Sequence, residues 1–168
     1  MKVIKKQPNS HDCLICGIDN PYGLHAPFYE MEDGSLICLF QFDPNHQSYP
    51  ERTHGGMIAA MIDECIGRVV WIKEPNLWAC TIKLEIEYHQ AVPYGVPLKC
   101  VSRIDKENKL TFHGIAEIKT RDNKLLARGS ALYMKLPLST ISPEKSKTGH
   151  INPEDINVYV PDDVREID

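Results

Sequence analysis

The chain has 168 residues, 42% of them hydrophobic and 25% charged, with 19 basic and 23 acidic side chains and a net charge of −4. Those proportions are those of a globular protein, and the length suits one domain with an ordinary core. A negative balance argues against general nucleic-acid or anionic-membrane binding, although a local basic patch would still suit a phosphate-bearing ligand.

Residues 1–12 are polar and are expected to be loose, with lysines but no apolar run of the kind a signal peptide carries. Cys13-Leu14-Ile15-Cys16-Gly17 is a CxxC. With His11 nearby it invites a zinc reading, but a closed structural site needs four ligands, and Cys38, in a predicted strand, is the next thiol along the chain. The pair is therefore read as a packed turn and fold marker, with no metal expected. The six cysteines, at 13, 16, 38, 65, 80 and 100, are scattered and read as small buried hydrophobes in a reducing cytoplasm.

Asn20-Pro21-Tyr22-Gly23 is a turn by its Pro and Gly chemistry. Ala26–Met31 and Ser35–Phe42 are predicted strands joined by an Asp33-Gly34 hairpin signal. Asp43–Thr53, with Pro44 and Pro50, is a polar loop that holds His46, Gln47 and Ser48.

The segment from His54-Gly55-Gly56 to Trp71 is the organising element. It is apolar or small on almost every side, so it predicts a helix that other elements wrap. Two acids sit mid-helix. Glu64 has Arg68 at i+4, a spacing that allows pairing. Asp63 has only Ala59, Ala60, Ile66 and Gly67 at i±3 and i±4; with Ala59 and Gly67 it forms a stripe facing a shallow groove. An acid without a local charge partner in such a groove is expected to be reactive; the alternative is a solvated carboxylate on an exposed helix edge. At the helix start, two glycines permit close approach, and the first N–H groups lack intrahelical partners. Those donors suit an anion or a developing oxyanion, unless the glycines serve packing alone.

After a connection at Glu74-Pro75, Leu77–Tyr88 alternates Cys80, Ile82, Leu84, Ile86 and Tyr88 against Thr81, Lys83, Glu85 and Glu87. The apolar set is expected to pack on the helix, which turns Thr81 away from it. Strands at Pro97–Ile104, Leu110–Thr120 and Lys124–Lys135 follow with short turns, which implies antiparallel pairing and, with Leu77–Tyr88, a meander of four strands. Residues 136–168 change to Pro, Ser, Thr and Lys and then to acidic residues. They are expected to be a surface extension, partly disordered or docked on a neighbouring subunit, with a helix-start signal at Asn152-Pro153-Glu154-Asp155. The resulting division is a lead-in over 1–25, a core over 26–135 and an extension over 136–168.

The run HGGMIAAMIDE, preceded by HQSYPERT, resembles the hotdog-fold acyl-CoA thioesterases of the PaaI-like type, whose pattern is His-Gly-Gly followed by an acid nine residues after the His. The resemblance covers roughly residues 13–135, and the CxxCG and NPxGL runs resemble the lead-in of some members. It implies an α+β hotdog fold, an antiparallel sheet of about six strands around one long helix. It also implies thioester hydrolysis, with Asp63 as general base or nucleophile and the Gly55 and Gly56 amides as oxyanion donors. His54 orients the loop and helix start in this pattern. Thr81, eighteen residues after the acid, is implied to complete the site from a partner subunit. A polar side chain of the preceding loop often holds the carbonyl or water; the usual Asn or Gln place is Ser48 here, with Gln47 adjacent, so that role stays open among His46, Gln47 and Ser48. Ala59 and Gly67 are candidate substrate contacts. No cofactor is implied beyond the coenzyme A thioester as substrate. The implied partners are copies of this chain, as dimer or tetramer, with no nucleic acid and no membrane, in the cytoplasm. Two alternatives on the same fold are a non-catalytic acyl-CoA or acyl-carrier binding module and a hydratase or dehydratase; the latter pairs a His with an acid, and His54 and His89 are the candidates.

Overall fold

Seven strands and one long helix make up the fold. In the computed structural model, which describes residues 1–75, 77–137, 140 and 157–168, helix α1 spans Gly55–Val69 and continues as a 3-10 turn over Val70–Ile72. The strands are β1 (Val3–Lys6), β2 (Phe28–Met31), β3 (Leu36–Phe40), β4 (Trp78–Tyr88), β5 (Leu98–Glu107), β6 (Thr111–Thr120) and β7 (Leu125–Leu136). They form one sheet in the order β1-β2-β3-β5-β6-β7-β4, and every neighbouring pair is antiparallel. Only β5, β6 and β7 run as a meander; β4 lies beside β7, not β5 as expected, because residues 89–97, with Pro93 and Pro97, cross over rather than close a hairpin. The sheet packs its inner face on α1, as an apolar helix requires.

Full burial of Met61, Ile62, Cys65, Ile66 and Val69 anchors the helix. Each large side chain contributes roughly 1.5–3 kcal/mol, which outweighs the ~0.5–1 kcal/mol that Gly67 costs inside a helix. The sheet comes close because it is bare at two places. A Cβ on Gly129 would lie 2.5 Å from Ile62 Cγ2, and one on Gly114 would lie 2.6 Å from Ile66 Cγ2. Helix side chains sink into the sheet at these glycines.

Three further expectations need correction. The supposedly loose N-terminus contains β1, which pairs with β2 (Val3 opposite Met31, Lys6 opposite Tyr29) and makes seven strands rather than six. The described end of the extension, residues 157–168, docks on its own chain: Val158 bridges Asn9, Glu166 bridges Lys2, and Ile167 is buried with Tyr29, Met31 and Ile37. The helix-start signal at residues 152–155 lies outside the described residues.

The third correction concerns β4. Its register against β7 slips between Thr81 and Lys83, so Ile82 is an extra residue in the ladder. A bulge of this kind reverses inside and outside along a strand. Leu84 and Ile86 face the core as expected, but on the other side of the bulge Ala79 packs inward, Thr81 turns to the helix, and Cys80 and Ile82 are exposed. Cys80 is thus not a buried hydrophobe, whereas Cys38, Cys65 and Cys100 are.

The lead-in is fastened to α1 by Arg68. This buried guanidinium bonds the Glu64 carboxylate (2.6 Å), the Pro8 carbonyl (2.8 Å) and Cys16 Sγ (2.8 Å), and sits over the rings of Phe28 and Trp71. Its charge is held by Glu64 against the desolvation that opposes it.

Two stability outcomes follow from this packing. Gly129→Ala forces Ile62 and Ile86 aside and is expected to lower unfolding free energy by roughly 1–3 kcal/mol, read by urea denaturation. Arg68→Met strands Glu64 and the Pro8 carbonyl and is expected to lower it by roughly 3–5 kcal/mol; an unchanged midpoint would mean that the lead-in is not anchored there.

Candidate functional site

A cleft of about 310 Å³ opens between α1, the lead-in and the bulged end of β4, lined among others by Cys13, Cys16, Asp63, Gly67, Trp71 and Tyr133. The unpaired edge of β4 leaves this side of the helix open to solvent, and Asp63 lies there half-buried.

Asp63 has neighbours that its helical spacing did not reveal. Thr81 Oγ1 donates to Asp63 Oδ1 at 2.9 Å, within the same chain. The expectation that Thr81 reaches an Asp63 only across a dimer is therefore corrected, and the Ile82 bulge is the reason. Tyr133, from β7, places its hydroxyl 2.6 Å from the same Oδ1 and 2.5 Å from the Asp63 carbonyl oxygen. Burial, followed by the hydrogen bond to Asp63, pushes the Tyr133 phenol above its ordinary range, so it stays protonated and a donor. Its ring is held flat on Phe112, with centroids 4.8 Å apart. Gly67 makes room for it, since a Cβ there would lie 3.3 Å from the Tyr133 ring. The small-residue stripe thus accommodates a tyrosine, and Ala59, at its other end, does not line the cleft. Tyr133 is the residue that sequence reasoning missed. It closes the alternating run Gly129, Ala131, Tyr133, whose small members mark the helix-facing side of β7.

Glu64 pairs with Arg68 as its spacing predicted, at 2.6 Å. Beside it, Cys13 and Cys16 face one another. The hydrogen bond from Cys16 lowers the Cys13 thiol to about 6, and Cys16 is correspondingly pushed up.

The helix start lies apart from this cleft. His54 is the N-cap, and its Nδ1 accepts the Gly56 N–H at 2.9 Å, so Gly56 is not a free oxyanion donor. Among the described residues the Gly55 N–H carries no hydrogen bond, and Tyr88 Oη donates to the Gly55 carbonyl at 2.9 Å. Gln47 accepts from the Tyr94 hydroxyl at 3.0 Å, and both Gln47 and Ser48 are exposed on the loop before the helix. His46 is buried and bonds the Tyr22 carbonyl, a structural position. His89 is exposed beside Glu87 and is not a lining residue of the cleft. Because α1 rises 1.5 Å per residue, Gly55 and Asp63 of one chain stand about 12 Å apart. One copy brings Asp63, Thr81 and Tyr133 together but not the helix start.

A thioesterase superfamily model matches residues 52–127. The acyl-coenzyme A thioesterase THEM4 of Xenopus laevis is 29% identical over 117 residues, covering 67% of this chain and 50% of that protein; the chain spans about half the length of the vertebrate relatives it matches. Among solved structures, the Escherichia coli PaaI protein from the phenylacetic acid degradation operon superposes with a TM-score of 0.60 at 16% identity, over 67% of this chain and 80% of that one. A Bacillus halodurans protein crystallised with CoA gives 0.58 at 24% identity, over 65% and 72%. These neighbours share the wrapped-helix architecture, so the chain has the hotdog fold, and its central region, residues 52–127, matches the thioesterase superfamily.

Proposed function

We propose that this chain hydrolyses acyl-CoA thioesters, with Asp63 as the general base that activates water. The observation that carries this reading is the uneven loading of the Asp63 carboxylate: Thr81 and Tyr133 both approach Oδ1. Two hydroxyl donors fix the carboxylate in one orientation and leave Oδ2 as the oxygen open to a water proton. Water attacks the thioester carbonyl carbon while its proton passes to Oδ2. The tetrahedral oxyanion then collapses and expels the CoA thiolate, which takes the proton back from Asp63, giving free acid and CoA thiol.

The oxyanion needs a donor that the same chain's helix start, about 12 Å from Asp63, does not supply. A second copy that turns its Gly55 N–H toward this Asp63 supplies it, with the positive end of its helix macrodipole stabilising the negative charge. The site is thus shared between two copies, with Asp63, Thr81 and Tyr133 from one and the helix start from the other. The unpaired β4 edge, beside both groups, is the place where a second copy can approach. Support for the substrate class comes from the names of the vertebrate relatives and from the CoA held by the Bacillus halodurans neighbour. A hydratase reading fits less well, since His54 is engaged as a helix cap and His89 lies on the surface.

On a panel of acyl-CoAs followed by free-thiol release, Asp63→Asn is expected to lower kcat by about 100-fold or more with little change in thermal stability. Tyr133→Phe removes one donor to a charged group and is expected to cost roughly 10-fold in kcat with KM nearly unchanged. Near wild-type turnover by Asp63→Asn, or loss of turnover in Glu64→Gln alone, would reverse the assignment.

A further inference from the structure

The wall of the cleft opposite Asp63 contains a group of side chains that thioester hydrolysis does not use. Cys13 Sγ accepts the backbone N–H of Ile15 at 3.3 Å and that of Cys16 at 3.5 Å. Cys16 Sγ takes Arg68 Nη2 at 2.8 Å and lies 3.4 Å from the Ser10 hydroxyl. Three N–H donors and a hydroxyl therefore converge on two sulfurs. Neutral thiols are weak acceptors, so this density of donors suits sulfur that carries negative charge. Glu64 completes the group: one ligand atom from each of Cys13, Cys16 and Glu64 can be chosen so that all lie within 4.8 Å of one another.

We propose that Cys13, Cys16 and Glu64 form a binding site for a thiophilic divalent cation, with Zn²⁺ as the ion of matching chemistry. Two thiolates and a carboxylate carry three negative charges, and Arg68 returns one positive charge. With both thiols ionised, a divalent ion leaves the group neutral and a monovalent ion does not. Two thiolates select a soft or borderline ion over Mg²⁺ or Ca²⁺, and three ligands of this kind suit the tetrahedral preference of Zn²⁺ with one position left over. Arg68 stays outside the coordination sphere: its Nε holds one Glu64 oxygen and its Nη2 one sulfur, so it orients two of the three ligands as hydrogen-bonded neighbours of metal sites do. The bound ion would tie the lead-in to α1 at the level of Asp63. Spacing alone offers the CxxC only His11 and no closed set of four ligands; Glu64 stands about fifty residues away and is brought in only by the packing of α1 against the lead-in.

The test does not depend on thioester turnover. Reduced, chelator-treated full-length protein is titrated with Co²⁺ without oxygen. The expected result is one ion per chain, with a near-ultraviolet thiolate-to-cobalt charge-transfer band and the visible bands of a tetrahedral centre, all displaced by Zn²⁺. Cys13→Ser/Cys16→Ser is expected to abolish the charge-transfer band. Glu64→Gln, which keeps both thiols and the size of the side chain, is expected to weaken Co²⁺ binding by roughly 10-fold or more and guards against a cysteine variant that fails to fold. Absence of a charge-transfer band in the wild type would overturn the site, as would an affinity unchanged in Glu64→Gln or two sulfurs that form a disulfide in place of taking up the ion.

Discussion

The close approach of sheet to helix governs this molecule. α1 is apolar around most of its circumference, and burying it requires strands to come nearer than side chains on both surfaces would allow. Gly114 and Gly129 clear the sheet for Ile66 and Ile62, and Gly67 clears the helix for Tyr133. The polar site is a by-product of that contact. Once β7 lies against Gly67, the Tyr133 hydroxyl reaches Asp63, and once β4 bulges at Ile82, Thr81 turns to the same oxygen. An acid on a helix edge becomes an oriented carboxylate at a cleft, with two hydroxyls on one oxygen.

Much of this was legible in the chain itself. The helix, the succession of strands along the chain and the Glu64–Arg68 pair follow from residue spacing, because helical and strand periods are local properties, whereas the place of β4 beside β7 rather than β5 does not. Asp63 stood out because nothing at i±3 or i±4 could pair with it. What spacing could not supply was contact between distant segments. The Thr81 geometry depends on one extra residue in a ladder, and a sequence with alternating apolar residues on both sides of a bulge gives no sign of it. The pairing of β1 with β2 and the return of residues 157–168 onto Lys2, Asn9 and Tyr29 join the two ends of the chain, and polar composition concealed both. The helix-start glycines were assigned as a pair of donors, yet the His54 cap takes up one of them, a competition that composition does not reveal.

The lead-in and the carboxyl-terminal segment share a physical role. Outside β1, neither belongs to the sheet, and each fills a surface that the sheet leaves uncovered. Residues 10–17 close one end of the cleft through Arg68, and Ile167 fills an apolar patch on Tyr29, Met31 and Ile37. The cleft therefore has one wall from the common architecture and one from a cysteine-bearing turn. Among the described residues no helix is long and apolar enough to cross a membrane.

The central claim is that one reacting carbonyl is served by Asp63 of one copy and the Gly55 N–H of another. Gly55→Pro removes that N–H at a first helical position, where proline is tolerated, and His54 already has the extended backbone (φ −63°, ψ 134°) that a following proline requires. Gly55→Pro and Asp63→Asn, each inactive alone, are mixed by co-expression at equal levels and assayed for thiol release. A shared site predicts recovery of roughly a quarter of wild-type turnover, since half the pairs are mixed and each mixed pair holds one intact site. A mixture as inactive as its parents, from protein proven to contain mixed pairs, would contradict it.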